Sequence, residues 1–134
     1  MSWALAAITF GGGAAGSLLR HVALVASARR FGRHAWVGLL LVNLLGCLGI
    51  GFVDAMVSAR AGLLGLDPSA ARWALSVGFL GGFTSFSAVS VLSDRLWQGG
   101  RRATAVVQAI LPVLFAVPAV RLGAVLGRVI GGGP

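Results

Sequence analysis

Long apolar stretches alternate with short polar linkers along the whole chain. Four of these stretches carry almost no charge, and the polar residues between them cluster with glycine and proline. Each stretch approaches the ~20 residues that cross a ~30 Å hydrocarbon layer at about 1.5 Å per residue. The pattern predicts an all-α membrane protein, a single four-helix domain over residues 1–134, with spans at 3–28, 35–57, 73–93 and 103–123.

The first apolar stretch begins at Trp3, and no basic residue precedes it. A secretory signal peptide starts with a positively charged region, so we expect this stretch to be a membrane helix. Composition agrees: of 134 residues, 57% are hydrophobic and 10% are charged, against roughly 25% charged in an ordinary soluble domain. A soluble domain this small cannot bury so much apolar surface, which excludes that class.

All 11 basic residues are arginine and only three residues are acidic, which gives a formal charge of +8. The arginines lie singly or in short clusters between apolar runs, so they form no continuous basic face for nucleic acid. With four spans, one side of the membrane holds seven arginines: Arg20, Arg29, Arg30, Arg33, Arg95, Arg101 and Arg102. The other side holds four: Arg60, Arg72, Arg121 and Arg128. The positive-inside rule then places the first and third linkers in the cytoplasm and both termini outside.

The third apolar stretch contains an unusual segment between Gly78 and Ser87. Within these ten residues it carries three glycines, three hydroxyl side chains and the phenylalanines Phe79, Phe83 and Phe86. Irregular backbone at membrane depth is tolerated only where protein covers it or a wet cavity adjoins it. The segment therefore predicts a helix broken near its middle. The alternative is an unbroken helix with a small-residue packing face and its phenylalanines in the core.

Asn43 places an amide in the second apolar stretch, three residues before Gly46. An amide inside a membrane must find a partner, so Asn43 faces a cavity, an ion or another helix. Asn43 can line a pore, or it can form a hydrogen bond that links two helices, and both roles fit this position. Arg20, Asp54 and Arg121 lie near span ends, where long side chains reach the membrane interface.

Three sequence motifs in the first three spans resemble those of a known protein family. The first span has Gly-x-x-x-Arg at Gly16 and Arg20, and the second has Val-Asn-x-x-Gly beginning at Val42. The third span has, in order, Gly78, Gly81, Gly82, Thr84, Ser85, Phe86, Ser87, Ala88 and Val89. These motifs resemble those of the small bacterial fluoride channels, the Fluc or CrcB-like family. The family's third-span pattern reads Gly-x-x-Gly-Gly-x-Thr-Thr-Phe-Ser-Thr-Phe.

The resemblance implies an antiparallel, dual-topology-type dimer with two narrow pores and a structural sodium ion (Na+) at the dimer interface. The sodium ligands would be the backbone carbonyls of Gly81 and Thr84. An aromatic ring edge and an amide N–H both suit a small anion, and an arginine at the pore entrance attracts anions. By resemblance, the vestibule arginine is Arg20 and the pore-lining residues are Asn43, Ser85, Phe86 and Ser87.

The chain also departs from the family pattern. Val89 stands where the second pore phenylalanine belongs, Leu92 where many members have Glu, and Leu39 where a Thr precedes the Asn by four residues. The fourth span has few polar side chains, Thr104 and Gln108. A homodimer would then have two damaged pores. These losses and the seven-to-four arginine bias favour a heterodimer with a second, antiparallel family member, with a homodimer as the alternative.

Together these features predict a passive fluoride channel that exports fluoride ion across the bacterial plasma membrane (the cell inner membrane), with the lipid bilayer as its solvent. A small multidrug-exporter-like transporter is one alternative, but it needs an intramembrane carboxylate in its first helix, and the first acidic residue here is Asp54. A structural subunit of a membrane complex is the other alternative. An enzyme is not expected, because no nucleophile and carboxylate cluster with His21 or His34.

Overall fold

The computed structural model describes residues 3–60 and 67–132, and every regular element in them is a helix. Helix α1 spans Trp3–Phe31, a short 3-10 turn follows at Gly32–His34, and α2 spans Trp36–Arg60. The third span has two parts, α3a (68–83) and α3b (Phe86–Gln98), and α4 spans Arg102–Gly131. Four helices in the described part are long and apolar enough to cross a membrane, which confirms the predicted number of membrane helices. Most of the second linker, 61–66, lies outside the described residues.

Two tight turns connect the helices at one side of the protein, which we call the linker-1/3 side. Gly32 has φ +50° and Gly100 has φ +77°, a left-handed conformation that glycine adopts without steric cost. The N–H of Ala35 donates to Gly32 O at 3.0 Å, which closes the first turn. Helices α2 and α4 both begin at this side, and α1 and α3b both end there.

Polar contacts also fasten the opposite side. Arg72 Nε lies 2.9 Å from Asp54 Oδ1, which joins the end of α2 to the start of α3a. Asp67 caps α3a, because its Oδ1 accepts the hydroxyl of Ser69 at 2.9 Å and the N–H of Ser69 at 3.0 Å. Those hydrogen bonds hold the pKa of the Asp67 carboxyl below its ordinary value. The contact between Arg72 and Asp54 is an ion pair at the protein surface, since both side chains are exposed to a large extent.

The third span breaks at Thr84 and Ser85, close to its midpoint. Thr84 has φ −83° and ψ 151°, and Ser85 has φ −157° and ψ 109°, so both residues have extended backbone. The preceding segment Trp73–Leu80 is π-helical, a rare and wide helix type that frequently occurs at functional sites. The structure therefore has the broken helix that the sequence predicts.

Glycines allow α1 and α3a to approach each other backbone to backbone. A β-carbon added to Gly16 would overlap Phe79 O, and one added to Gly82 would overlap Gly13 O. Small residues spaced four apart favour helix association in lipid, where helices gain little from the hydrophobic effect. The glycines in this contact are Gly12, Gly16, Gly78 and Gly82.

Helix α2 is the most enclosed helix and packs along much of α4. A β-carbon on Gly51 would overlap Val120 O of α4, and one on Gly123 would overlap Leu48 O of α2. Nearer to the linker-1/3 side, α2, α3b and α4 enclose an apolar core. Its buried side chains are Leu39, Val42, Val89, Leu96 and Ala105.

Gly16→Leu should destabilise the protein strongly, because its β-carbon would overlap Phe79 O and lie 2.9 Å from Phe83 N. Overpacking against side chains costs about 1–3 kcal/mol, and here rigid backbone must move, so we expect a loss of about 3 kcal/mol or more. Gly11→Leu is the matched control, because nothing lies within 4 Å of a β-carbon at Gly11. Thermal unfolding in detergent measures both variants, and equal melting temperatures would contradict the close contact.

Candidate functional site

The break in the third span frees backbone groups that a continuous helix would pair. In an unbroken α-helix the N–H of Ser85 would donate to the carbonyl of Gly81. Here it donates to Oδ1 of Asn43 at 2.8 Å, while Asn43 Nδ2 donates to Leu39 O at 3.1 Å. Asn43 is buried on α2, so its side chain fastens the break to that helix. Through this hydrogen bond, Asn43 links α2 to the third span. Its pore-lining role stays a prediction.

Two side chains of α1 bind carbonyls at the break. Arg20 Nη1 donates to Thr84 O at 3.2 Å, and Ser17 Oγ donates to Gly82 O at 3.3 Å. The N–H and the hydroxyl of Thr84 both donate to Leu80 O, at 2.9 and 3.0 Å. Arg20 therefore reaches the centre of the third span and not the membrane interface. A guanidinium has five N–H donors, so this bond leaves donors for other acceptors.

Helix α3b begins directly after the break. Ser85 is its N-cap: the side-chain oxygen accepts the N–H of Ala88 at 3.3 Å and lies 3.0 Å from the hydroxyl oxygen of Ser87. The first N–H groups of a helix carry a partial positive charge that favours an anion. The break thus places a helix N-terminus and two hydroxyls within one turn of each other, at membrane depth.

An open groove of about 570 Å³ runs from the break toward the linker-1/3 side, between α1, α2 and α3b. Arg20, Ser85 and Ser87 lie at its inner end, and Arg95 lies near its outer end. Ser85 and Arg95 are ten residues apart, or about 15 Å along a helix. The walls between are apolar, with Leu24, Leu39, Val91 and Leu92, and no acidic side chain lines the groove in the described part of the chain. A cleft with charge of one sign and apolar walls concentrates counter-ions, so this groove can collect anions.

The phenylalanines of the third span have different surroundings. Phe79 and Phe83 stack with ring centroids 6.4 Å apart, which agrees with a packing role for both. Phe86 is 64% exposed at the start of α3b, so its ring is available to another chain or to lipid. Val89, at the position of the second family phenylalanine, is 1% exposed in the core. A phenylalanine would overpack that position in this fold.

The structure thus brings several predicted site residues together. Arg20, Ser85 and Ser87 line one groove, Asn43 holds Ser85 in place, and Phe86 follows on the surface. Their roles in a pore stay predictions. Sequence reasoning missed the contact of Ser17 with the break, although Ser17 lies three residues before Arg20, on the same helix face. It also gave no role to Gln108, which is fully buried on α4.

The chain is similar in sequence to known proteins over most of its length. The sequence profile of the family described as "CrcB-like protein, Camphor Resistance (CrcB)" matches residues 7–124. A Chloroflexus aurantiacus protein named "Fluoride-specific ion channel FluC" is 38% identical over 121 residues, 90% of this chain and 93% of the relative. A Pseudomonas putida protein of the same name is 41% identical over 98 residues, 73% and 76% of the two chains. One from Stutzerimonas stutzeri is 38% identical over 117 residues, 87% and 91% of the two chains. Because these matches cover most of the sequence, including all three motifs, the chain belongs to the CrcB-like family.

Proposed function

We propose that this protein is a passive fluoride-selective channel that exports fluoride across the bacterial plasma membrane. The observation that carries the proposal is the groove that joins Arg95 at one end to Arg20, Ser85 and Ser87 at the break. Relatives that cover most of the chain bear the name of a fluoride-specific ion channel. The protein spans the membrane several times. Its function is to conduct ions across that membrane and not to catalyse a reaction.

The chemistry of the groove suits a small anion. Fluoride must exchange its hydration shell for hydrogen-bond donors, and the inner end supplies a guanidinium, two hydroxyls and the N-terminus of α3b. Once a second chain covers the open side of the groove, its apolar walls would limit the access of water and strengthen these interactions. Fluoride that enters a cell as HF and dissociates there leaves down its own gradient, so export needs no coupled energy source.

The alternatives account for fewer of these contacts. A proton-coupled exporter needs a carboxylate within the membrane, and Asp54 lies near the end of α2, more than half exposed and paired with Arg72 at 2.9 Å. The other two acidic residues of the chain, Asp67 and Asp94, lie outside the first helix. A purely structural role does not explain why the protein has an open groove with an arginine near each end. The channel is therefore the function that the geometry supports best.

We further propose that the working unit is an antiparallel dimer, with a second member of the family as the favoured partner. The groove is open on one side, and Phe86 is 64% exposed beside its inner end, so a second chain can complete a pore there. The seven-to-four arginine bias favours one orientation for this chain, and its partner would insert the other way. Val89 supplies no aromatic ring, which a complete partner would provide.

A structural sodium ion fits the carbonyls at the break. Gly81 is exposed there, and its carbonyl does not receive the N–H of Ser85, which goes to Asn43. Thr84 O accepts one N–H of Arg20 and keeps a second lone pair. Carbonyl oxygens are hard ligands that suit a small, hard cation. When bound, sodium would neutralise carbonyl charge from two chains at the interface.

Purified protein in liposomes should release fluoride much faster than chloride. We expect a difference of at least about tenfold, equivalent to about 1.4 kcal/mol. The measurement is ion-selective electrode recording of fluoride and of chloride efflux, for the chain alone and with a co-expressed second family member. Faster flux with the second subunit supports the heterodimer, and full flux by the chain alone supports a homodimer. Release of chloride as fast as fluoride would show that the channel proposal is wrong.

Phe86→Ile should remove most of the fluoride flux of the mixed dimer. The substitution keeps an apolar side chain but removes the ring edge that the proposed pore offers to the anion. Phe115→Ile is the matched control, because Phe115 is a half-exposed phenylalanine on a different span, α4. Fluoride efflux from liposomes measures both variants. If the two variants lose flux equally, Phe86 has no special place in the pore.

Removal of sodium should lower the melting temperature of the protein. An ion that binds only the folded state adds about 2.7 kcal/mol at a concentration 100 times its dissociation constant. The measurement is thermal unfolding in sodium chloride against N-methylglucamine chloride at equal ionic strength, with potassium chloride as the test of ion size. Identical melting temperatures in all three salts would indicate that water, and not sodium, binds the carbonyl oxygens at the break.

A further inference from the structure

The exposed face of α1 ends in two arginines. Two rows of side chains, each with a spacing of four residues, lie side by side on this face. The rows are His21, Val25 and Arg29, and Val22, Ala26 and Arg30. All six side chains are exposed, and together they line an open groove of about 640 Å³, which we call the α1 groove. Each row ends at an arginine in the last turn of α1, so the groove has a positive end at the linker-1/3 side.

A second groove lies between α1 and α2. This α1/α2 groove has a volume of about 330 Å³ and shares Ala26 and Arg30 with the α1 groove. Its walls are mostly apolar, and Leu41 and Leu45 of α2, which line it, are exposed. The two grooves therefore meet at Ala26 and lie on either side of Arg30.

The positive charge at this end of α1 has no partner in the described part of the chain. Neither the guanidinium of Arg29 nor that of Arg30 forms a hydrogen bond or an ion pair with a described residue. No acidic side chain lines either groove among the described residues. The three acidic residues of the chain have other partners, namely Arg72, Ser69 and Gln98. The negative end of the helix dipole favours a cation here, but it does not explain the apolar grooves beside the two arginines.

Helix α1 is the least enclosed of the four described spans. Only 6% of its most apolar stretch is buried, against 33% for α2. An exposed apolar groove at membrane depth is a surface for acyl chains, while arginines at the end of a span lie at the level of the lipid headgroups. A guanidinium also matches the geometry of a phosphate, because it donates two parallel N–H bonds.

The positions along the helix agree with this division. Ala26 and Val22 precede Arg30 by four and eight residues, so they lie about 6 and 12 Å deeper in the membrane. His21 precedes Arg29 by eight residues, or about 12 Å, which is too far for both side chains to contact one phosphate. The arginines alone therefore form the headgroup end, and the small apolar residues form the acyl-chain end.

We propose that Arg29 and Arg30 bind the phosphate of an anionic phospholipid, whose two acyl chains lie in the α1 groove and the α1/α2 groove. A zwitterionic phospholipid carries its own cation, which offsets the attraction to the arginines. The positive-inside rule predicts the linker-1/3 side in the cytoplasm, where the adjoining leaflet is anionic. None of the residues that line these two grooves lines the groove that contains Arg20, so the lipid site does not depend on the channel function.

Native mass spectrometry of the purified protein tests the lipid site directly. The protein in detergent is mixed with equal amounts of dioleoyl phosphatidylglycerol and dioleoyl phosphatidylcholine, and the retained lipids are counted. Because two arginines each favour an anionic headgroup, we expect at least about ten times more phosphatidylglycerol than phosphatidylcholine to be retained. Excess sodium glycerol phosphate should displace little of the lipid, since it has no acyl chains. Full displacement would show that a free phosphate group, and not a lipid, is the ligand.

Arg29→Gln combined with Arg30→Gln should reduce the preference for phosphatidylglycerol to less than about twofold, because the headgroup end loses its charge. Arg121→Gln combined with Arg128→Gln is the matched control. It removes the same charge from two exposed side chains of α4, far from the linker-1/3 side, and should keep the preference. The melting temperature in detergent shows whether each variant is folded.

Ala26→Phe tests the grooves while both arginines are present. Its ring would fill the place where the two grooves meet, so the retained phosphatidylglycerol should fall at least about fivefold. Val113→Phe is the matched control, because Val113 is 56% exposed on α4 and lines neither groove. It should retain as much lipid as the unmodified protein.

Equal retention of the two lipids by the unmodified protein would show that the lipid site is wrong, whether or not the variants fold. Equal loss of preference in the two double-arginine variants, or equal loss of lipid in the two phenylalanine variants, would do the same. A dimer that retains neither lipid would show that a second chain covers this face of α1. Fluoride efflux from liposomes of phosphatidylcholine alone tests the channel separately, so the failure of one proposal leaves the other standing.

Discussion

The need to satisfy backbone polar groups inside lipid governs this structure. A helix broken at Thr84 and Ser85 exposes N–H and carbonyl groups, and each costs several kcal/mol if it faces hydrocarbon. The protein meets this demand with side chains from two other helices. Asn43 of α2 accepts the freed N–H of Ser85, while Arg20 of α1 donates to a carbonyl. The break is therefore stable only because three membrane spans meet around it.

The glycine contacts make those bonds geometrically feasible. Ser17 Oγ must come within 3.3 Å of Gly82 O, and a short side chain achieves this only if the two backbones nearly touch. Gly16, the residue before Ser17, lies against Phe79 O, where even a methyl group would overlap. Close helix packing and the polar chemistry of the site thus depend on the same few residues. Loss of one contact should disturb the other.

Much of the fold, and part of the site, can be predicted from the sequence. Four spans follow from runs of apolar residues, because hydrocarbon thickness sets their length. The break follows from the glycines and hydroxyls between Gly78 and Ser87. The partner of Asn43 could not be chosen in advance, since a pore and another helix both offer polar atoms at that depth. The contact of Ser17 with the break and the complete burial of Gln108 could not be predicted, because hydrogen bonding and burial depend on which helix faces pack together, and local spacing does not determine this.

Arg20 shows how one residue serves the fold and the site together. A lysine at this position would bring one compact charge, whereas the planar guanidinium presents several N–H groups in fixed directions. One of them is bound to Thr84 O, which holds the side chain at the inner end of the groove. In the proposed channel, the other N–H groups and the positive charge would face an anion that has lost part of its hydration. Because the same bond that satisfies the broken helix also fixes the arginine, ordering the site adds little conformational cost when an ion arrives. The irregular backbone is thus the means by which a charged side chain is kept in place within the membrane.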